Sequence, residues 1–404
     1  MKKIVFILIL LILFLIISAC TSKEQLSNEV LYVINSNTTG ETKENNEIIS
    51  EEVPISNDPI TEEATEETAT EETLIATEST PEPPTQPTTE EPTEPWLDEV
   101  INFPDVNFEA ATREVIGKPT GEITKSDVAG VIKLDISGKG IESLAGIEYF
   151  TALEELNCSA NRLTELDMSK NMVLTYLDCG NNGEEKQWTW DDSMWIPFLE
   201  KLDVSKNTAL KELYCGGNKL TTLDINRSTL LKELYCSSNS LTALDVSKNT
   251  ALINFSCGRN QLMSLDVSRN TALKEFNCGY NELTALDVSK NTALINFSCD
   301  KNQLTSLDVS RNTVLKELNC GENQLTSLDV SKNTWLETFY CYYNNLTWLD
   351  VSKNVKMEVF YSFHNQLTSL DVSNIKGLKK IQCDNTVKII GLNENETKVI
   401  LWYD

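Results

Sequence analysis

From about residue 131 the chain alternates apolar and polar positions in short, regular units. In Leu315–Thr334, LKELNCGENQLTSLDVSKNT, the residues Leu315, Leu318, Cys320 and Asn323 follow the spacing L-x-x-L-x-C-x-x-N. Leu325, Leu328, Val330 and Asn333 repeat that spacing with Val in the cysteine slot. Each half holds a short alternating segment, ELNC or SLDV, closed by a polar turn. Alternation with the apolar residues inward predicts short strands. Neither half has room for a regular helix, which needs roughly 10 residues or more. The pattern predicts a flattened coil with parallel sheets along both long sides.

The unit recurs every 21 residues through Cys215, Cys236, Cys257, Cys278, Cys299, Cys320 and Cys341. Cys158 and Cys179 keep the same interval, and Ser362 holds the slot before Cys383. A fixed period near 20 means a solenoid in which each repeat packs on its neighbours. The fold class expected is mostly β: a right-handed solenoid of about twelve coils, roughly 55–60 Å long at about 4.8 Å per coil.

Two columns of Asn should serve the corners. One lies three residues after each cysteine slot, from Asn161 and Asn182 to Asn344 and Asn365; the other runs from Asn171 to Asn354. An Asn amide meets backbone groups that a buried corner would orphan. The ten ladder cysteines, Cys158 to Cys383, are expected to be buried and reduced. Neighbouring coils hold their Cβ atoms about 4.8 Å apart, beyond the roughly 3.5–4.5 Å of a disulfide. A single column also lacks the convergence of a metal site.

The repeat resembles the bacterial leucine-rich repeats, and most nearly the cysteine-containing 21-residue class of internalin J-like surface proteins, over roughly residues 100 to 404. That resemblance implies a surface-exposed protein that binds or adheres. Residues 96–130 resemble the helical N-terminal cap of such arrays, with a helix over Phe108–Ile116 and a second starting near Thr124, capped by Thr124 or Ser126. GKPTGEITKSD lacks the Asp/Asn ligands of a calcium loop. In the first, degenerate repeat Leu134, Ile136, Ile141 and Leu144 keep the pattern, with Ser137 assigned to the cysteine slot. The repeats occupy 131–390. Thr386 onward supplies one or two closing strands, with 391–404 as the C-terminal cap.

Ahead of the repeats, Met1-Lys2-Lys3 and the apolar run Ile4–Ile17 read as a signal peptide over 1–19. Ile17-Ser18-Ala19-Cys20 resembles a bacterial lipobox, which implies lipidation at Cys20, a membrane anchor and an extracytoplasmic location. Residues 20–95 read as a stalk rich in Thr, Glu and Pro: from Glu41 to Glu99 nineteen acidic residues face Lys43 alone. Such a segment buries no core and extends by self-repulsion. The formal net charge of −27 belongs largely to it. Without a basic stripe, nucleic acid is excluded as a partner.

Catalysis finds little support. The chain has one histidine, His364, so a Ser-His-Asp triad has one available base and metal–His clusters have none. The aspartate column from Asp203 to Asp371 recurs in nearly every coil and reads as a structural face. No cofactor and no metal are expected.

Binding residues are sought where the regular frame varies. Outward positions beside the cysteine are bland in the middle coils, as at Ser256, Gly258, Asn277 and Gly279. They turn aromatic at Tyr340, Tyr342, Tyr361 and Phe363, with Tyr343 and His364 one position later. Tyr214 and Tyr235 form a smaller group. An insertion over 183–198 separates Cys179 from Cys215 and carries Trp188, Trp190 and Trp195. Exposed Tyr and Trp are favoured in recognition. The expected function is a lipid-anchored surface binding or adhesion protein recognising a protein or glycoprotein, or a glycan. The alternative is a structural lipoprotein that organises the envelope by binding other bacterial surface components.

Overall fold

The structure, a computed structural model, describes residues 98–185, 195–393 and 397–402. The signal segment, Cys20, the stalk, Trp188 and Trp190 lie outside the described residues, and Trp195 is described only as part of a strand.

The body opens with two helices. Helix α1, Val106–Ile116, begins where the Asp105 carboxylate accepts the N–H groups of Asn107 and Phe108 at 2.9 and 3.0 Å. This satisfies donors that the first turn leaves orphaned. It ends at Gly117, whose φ of 66° is the left-handed C-cap that glycine adopts freely. Phe108 is fully buried against Phe103 and Phe150, covering the end of the stack. Helix α2, Lys125–Ala129, starts at Thr124, whose N–H is taken by the Asp127 carboxylate at 2.8 Å. Thr124, rather than Ser126, is its N-cap.

From Lys133 the chain winds into a parallel solenoid of about twelve coils. One side is a single sheet of thirteen parallel strands, from Lys133–Asp135 to Lys398–Trp402. Register is in phase throughout: Phe255, Phe276 and Phe297 lie side by side, as do Leu318, Phe339 and Phe360. Their rings stack inside the core at 5.4 to 5.6 Å. In the first coil Leu134 pairs with Leu156, so Ile136, not Ser137, fills the slot of Cys158. The reason is the period-2 pleat: the slot lies two residues beyond the paired leucine and faces the same side. Ser137 is displaced into the turn, where its N–H bonds the Asp135 carboxylate at 3.0 Å.

All ten ladder cysteines are buried and free. Burial pushes the Cys320 thiol up to about 12, and its Sγ donates to the Tyr340 carbonyl at 3.5 Å. The column therefore behaves as a stack of small apolar side chains.

The first Asn column holds the adjoining corner. Asn260 Nδ2 donates to the carbonyls of Cys236 and Cys257 at 3.1 and 3.0 Å, and Oδ1 accepts the Leu241 N–H at 3.0 Å. Asn281, Asn302, Asn323 and Asn344 repeat this set. The second column holds the opposite corner by Nδ2 alone. Asn270 donates to Val246 and Asn249 carbonyls at 3.0 and 2.9 Å, while its Oδ1 has no partner among the described residues.

The flank opposite the long sheet is less regular than the sequence pattern implies. Strand pairing occurs there as two short pieces, Glu165–Asp167 with Lys201–Asp203 and Ser369–Asp371 with Lys388–Ile390. Between them the equivalent segments form no strand. Coil-to-coil attachment passes instead to the Asn side chains, which reach carbonyls of the preceding coil. Each Asp of the flanking column also bends the chain by accepting the N–H two residues on, as Asp308 does from Ser310 at 2.8 Å. Those N–H groups hold Asp245, Asp287, Asp308 and Asp329 below the usual carboxylate range, with Ser hydroxyls contributing; at Asp266 the Ser268 hydroxyl leads and the N–H adds to it.

Candidate binding surface

The long sheet places three outward positions per coil: three residues before, one before and one after each cysteine. A fourth position, two after the cysteine, turns the corner in the left-handed region, with φ between 48° and 56° at its non-glycine residues. A non-glycine side chain there costs about 1–2 kcal/mol. Because the register never slips, equivalent side chains in adjacent coils meet.

At the C-terminal end this brings the predicted aromatics together. Tyr340 and Tyr361 lie 5.0 Å apart between ring centroids, Tyr342 stacks on Phe363 at 5.1 Å, and Tyr343 stacks on His364 at 4.1 Å. Phe363 is 7% exposed and forms the floor of the patch, touched by Tyr342, Tyr343, Tyr361 and His364. Tyr343, 43% exposed, is its most open ring. Gly321 makes room for Tyr342: a Cβ there would stand 2.7 Å from the ring. Burial pushes the Tyr340 hydroxyl up to about 12, with Tyr361 and Glu317 adding to it. Lys380 lies over the Tyr361 ring at 5.0 Å. The His364 backbone N–H donates to Asp384 at 2.7 Å, tying the patch to the next coil.

A second cluster lies towards the N-terminal end of the sheet. Tyr214 and Tyr235 stack at 4.9 Å, and Tyr176, not anticipated, joins them at 5.6 Å. It is set among carboxylates. Tyr214 donates its hydroxyl to Glu233 at 2.6 Å. Burial and the facing Glu233 raise Glu212 above the usual range. Burial likewise raises Asp178, opposed by the Gly180 N–H. The insertion enters and leaves the body as an antiparallel pair, Gly183–Glu185 with Trp195–Pro197.

Two further aromatics escaped the sequence reading. Trp348 is 69% exposed and Trp335 48%, with Lys356 Nζ 3.0 Å from the centre of the Trp335 ring. Both stand in columns that hold small or aliphatic residues in the middle coils, the same signal that singled out Tyr340. Arg259, Tyr280 and Lys301 were also missed; they form a cation–aromatic–cation stack at the left-handed corner.

A groove of about 720 Å3 lies away from the patch, on the unpaired flank, lined by Asp203, Asp224, Asp245 and Asp266. Its walls are the Asp–Ser and Asp–Asn turns that recur along the array, so it marks no particular coil. Among the described residues no group of three or more His, Cys, Asp or Glu is arranged to hold a metal ion.

No protein-family model matches the chain, and no curated protein matches it. Solved structures do. The functional domain of InlJ from Listeria monocytogenes, described as including a cysteine ladder, is 32% identical, with 74% of this chain and 79% of that one covered and a TM-score of 0.48. The internalin InlF of the same organism is 22% identical, covering 75% and 100%, with a TM-score of 0.46. A leucine-rich-repeat protein of Leptospira interrogans is 24% identical, covering 66% and 75%, with a TM-score of 0.51. This last likeness shows the fold: a leucine-rich-repeat-like β-solenoid.

Proposed function

We propose that this leucine-rich-repeat solenoid is a lipid-anchored surface protein that recognises a protein or glycoprotein through the aromatic patch on its long sheet. One observation carries the reading. The same backbone positions hold Ser, Asn and Gly in the middle coils and a contiguous group of tyrosines at the C-terminal end, so the frame does not require them. A regular solenoid offers binding specificity only where its surface departs from the repeat. Tyr is favoured at recognition sites because a large contact area comes with few rotatable bonds. The motif resemblance to internalin J-like proteins supports adhesion and an extracytoplasmic surface, and the lipobox-like ISAC at 17–20 supports anchoring at Cys20.

The test is a binding screen of the mature chain against host glycoproteins, glycans and bacterial wall fractions, followed by substitution of Tyr340, Tyr342 and Tyr361 with Ser. Ser occupies equivalent positions elsewhere, so folding should persist. Loss of a central aromatic contact costs about 2 kcal/mol, a roughly thirty-fold weaker affinity. A folded triple variant that binds with parental affinity would place the site elsewhere. Binding confined to wall fractions would favour the envelope-organising role. Separately, Cys20→Ala should free the protein from the membrane fraction or block its processing; unchanged retention would remove the anchor from the proposal.

A further inference from the structure

The left-handed corner position changes character half-way along the solenoid. In the earlier coils it holds Ala160, Asn181, Gly217 and Ser238. From there it holds Arg259, Tyr280, Lys301, Glu322, Tyr343 and His364, all at φ between 48° and 56°. Gly and Asn suit that backbone and His is tolerated there; Arg, Tyr, Lys and Glu gain nothing from it. Five bulky polar or aromatic residues in consecutive coils, Arg259 to Tyr343, therefore answer to something other than the fold.

These side chains meet in series. The Arg259 guanidinium lies 4.1 Å from the centre of the Tyr280 ring, and Lys301 Nζ lies 4.2 Å from it, one from the coil before and one from the coil after. Lys301 pairs with Glu322 at 3.3 Å. Tyr343 and His364 stack within 16° of parallel. The result is a ridge along the solenoid, continuous at its C-terminal end with the aromatic patch.

The geometry restricts what can bind. A sugar ring stacks on an open aromatic face. Here Tyr280 is covered by cations from both neighbouring coils, Tyr343 carries His364, and Tyr342 lies between Gly321 and Phe363. These rings present edges more than faces, which suits the backbone and side chains of a polypeptide. Charge adds direction. Across residues 100–404, forty acidic residues stand against thirty basic ones, yet two cations are held together around Tyr280 with a single carboxylate, Glu322, paired to one of them.

We infer that the ridge from Arg259 to His364 extends the patch into a strip for an extended polypeptide segment lying along the solenoid. An acidic residue of that segment meets the Arg259–Lys301 pair, and an apolar or aromatic anchor meets the Tyr343 end. The inference rests on the proposal that the patch is a binding site. Coils repeat at about 4.8 Å and an extended chain advances about 3.3 Å per residue. Tyr280 and Tyr343 are three coils apart, Arg259 and Tyr343 four. The acidic residue and the anchor should therefore be separated by about four to six residues.

The probe is a set of fluorescent decapeptides, each carrying one Glu-Glu pair and one Trp at spacings from about two to eight residues, titrated by anisotropy against the full mature chain. The tightest binding should fall at the four-to-six spacing and weaken with added salt. The double variant Arg259→Asn, Lys301→Asn keeps a residue that tolerates this backbone, as Asn181 does in its own coil. It should bind about tenfold or more weakly and lose most of the salt dependence. A Gln-Gln peptide should lose affinity for the parent but not for the variant. Absence of any peptide binding, indifference to spacing, or unchanged binding by the double variant would overturn the inference. If the Tyr340, Tyr342 and Tyr361 Ser variant abolishes binding and the Asn variant does not, the patch stands and the ridge falls. If neither variant matters, the patch falls as well. Binding of an oligogalacturonate in place of the peptides, sensitive to Arg259 and Lys301, would overturn the polypeptide class.

Discussion

Two tyrosine clusters share one sheet and one backbone geometry, yet differ in what surrounds them. Tyr176, Tyr214 and Tyr235 stand among Glu212, Glu233 and Asp178, and Tyr214 spends its hydroxyl on Glu233. Tyr340, Tyr342, Tyr343 and Tyr361 gather over a buried Phe363, with Lys380 at the margin. Stacking alone therefore says little: in-register parallel strands place like residues together wherever they occur. Charge and floor make the difference. The first cluster commits the Tyr214 hydroxyl internally, among carboxylates that burial and mutual charge disfavour, whereas the second is an apolar-floored surface of the kind found at interface centres.

The frame common to both clusters is the place where the largest effect is expected. Asn302 lies between them and holds three buried backbone groups: the carbonyls of Cys278 and Cys299 and the N–H of Leu283. Asn302→Ala orphans the Leu283 N–H, at about 1–3 kcal/mol, and removes one of two donors from each carbonyl, which keep Asn281 and Asn323; with about 1 kcal/mol for each lost bond, urea denaturation should show a loss of about 3 kcal/mol. Replacing Tyr340, Tyr342 and Tyr361 by Ser should cost much less stability. A reversed order would make the C-terminal cluster a packing element rather than a surface.

The second effect separates the clusters. Gly321→Ala would place a methyl group 2.7–2.9 Å from the Tyr342 ring, which must move. Overpacking of this kind costs about 1–3 kcal/mol. Gly180→Ala beside the first cluster meets the Asp178 carboxylate at 3.2 Å and the Gly216 carbonyl at 3.3 Å, a milder crowding that touches no ring. Ligand affinity should fall for Gly321→Ala and hold for Gly180→Ala. Equal binding by both would show that the seating of Tyr342 is immaterial to recognition.

Much of this organisation is legible along the chain because the repeat is its own alignment. Ten cysteine positions and two Asn columns expose the core, the corners and the outward slots without any second sequence. The exceptions have local causes. Ser137 was misplaced because the first repeat has no cysteine to set the register, and pairing with Leu156 settles it on Ile136. The second flank reads as a strand by alternation, but alternation reports which side chains are buried, not where the N–H groups go. The Arg259–Tyr280–Lys301 stack escaped notice because its residues differ chemically from coil to coil, and only the corner geometry reveals that they touch. Phe363 looked outward by position and is buried by its neighbours instead.

The smallest effect concerns acid. Glu212 is raised by burial and then by the charge of Glu233. Its proton is held more tightly folded than unfolded, so the charged form burdens the fold above the raised value, and that burden fades as pH falls through it. Asp308 is lowered, first by the Ser310 backbone N–H. Its contribution is present above the usual carboxylate value and is lost as pH falls through the lowered one. Glu212→Gln should therefore stabilise the protein at pH 7, with the gain shrinking on acidification. Asp308→Ala should destabilise it at pH 7, with the deficit shrinking below about pH 4. Urea midpoints followed from neutral to acid pH would show the two differences converging on the parent from opposite sides. Loss of stability on Glu212→Gln at neutral pH would mean that the bonds around Tyr214 outweigh the crowding of charge, and the contrast between the clusters would then rest on the Phe363 floor alone.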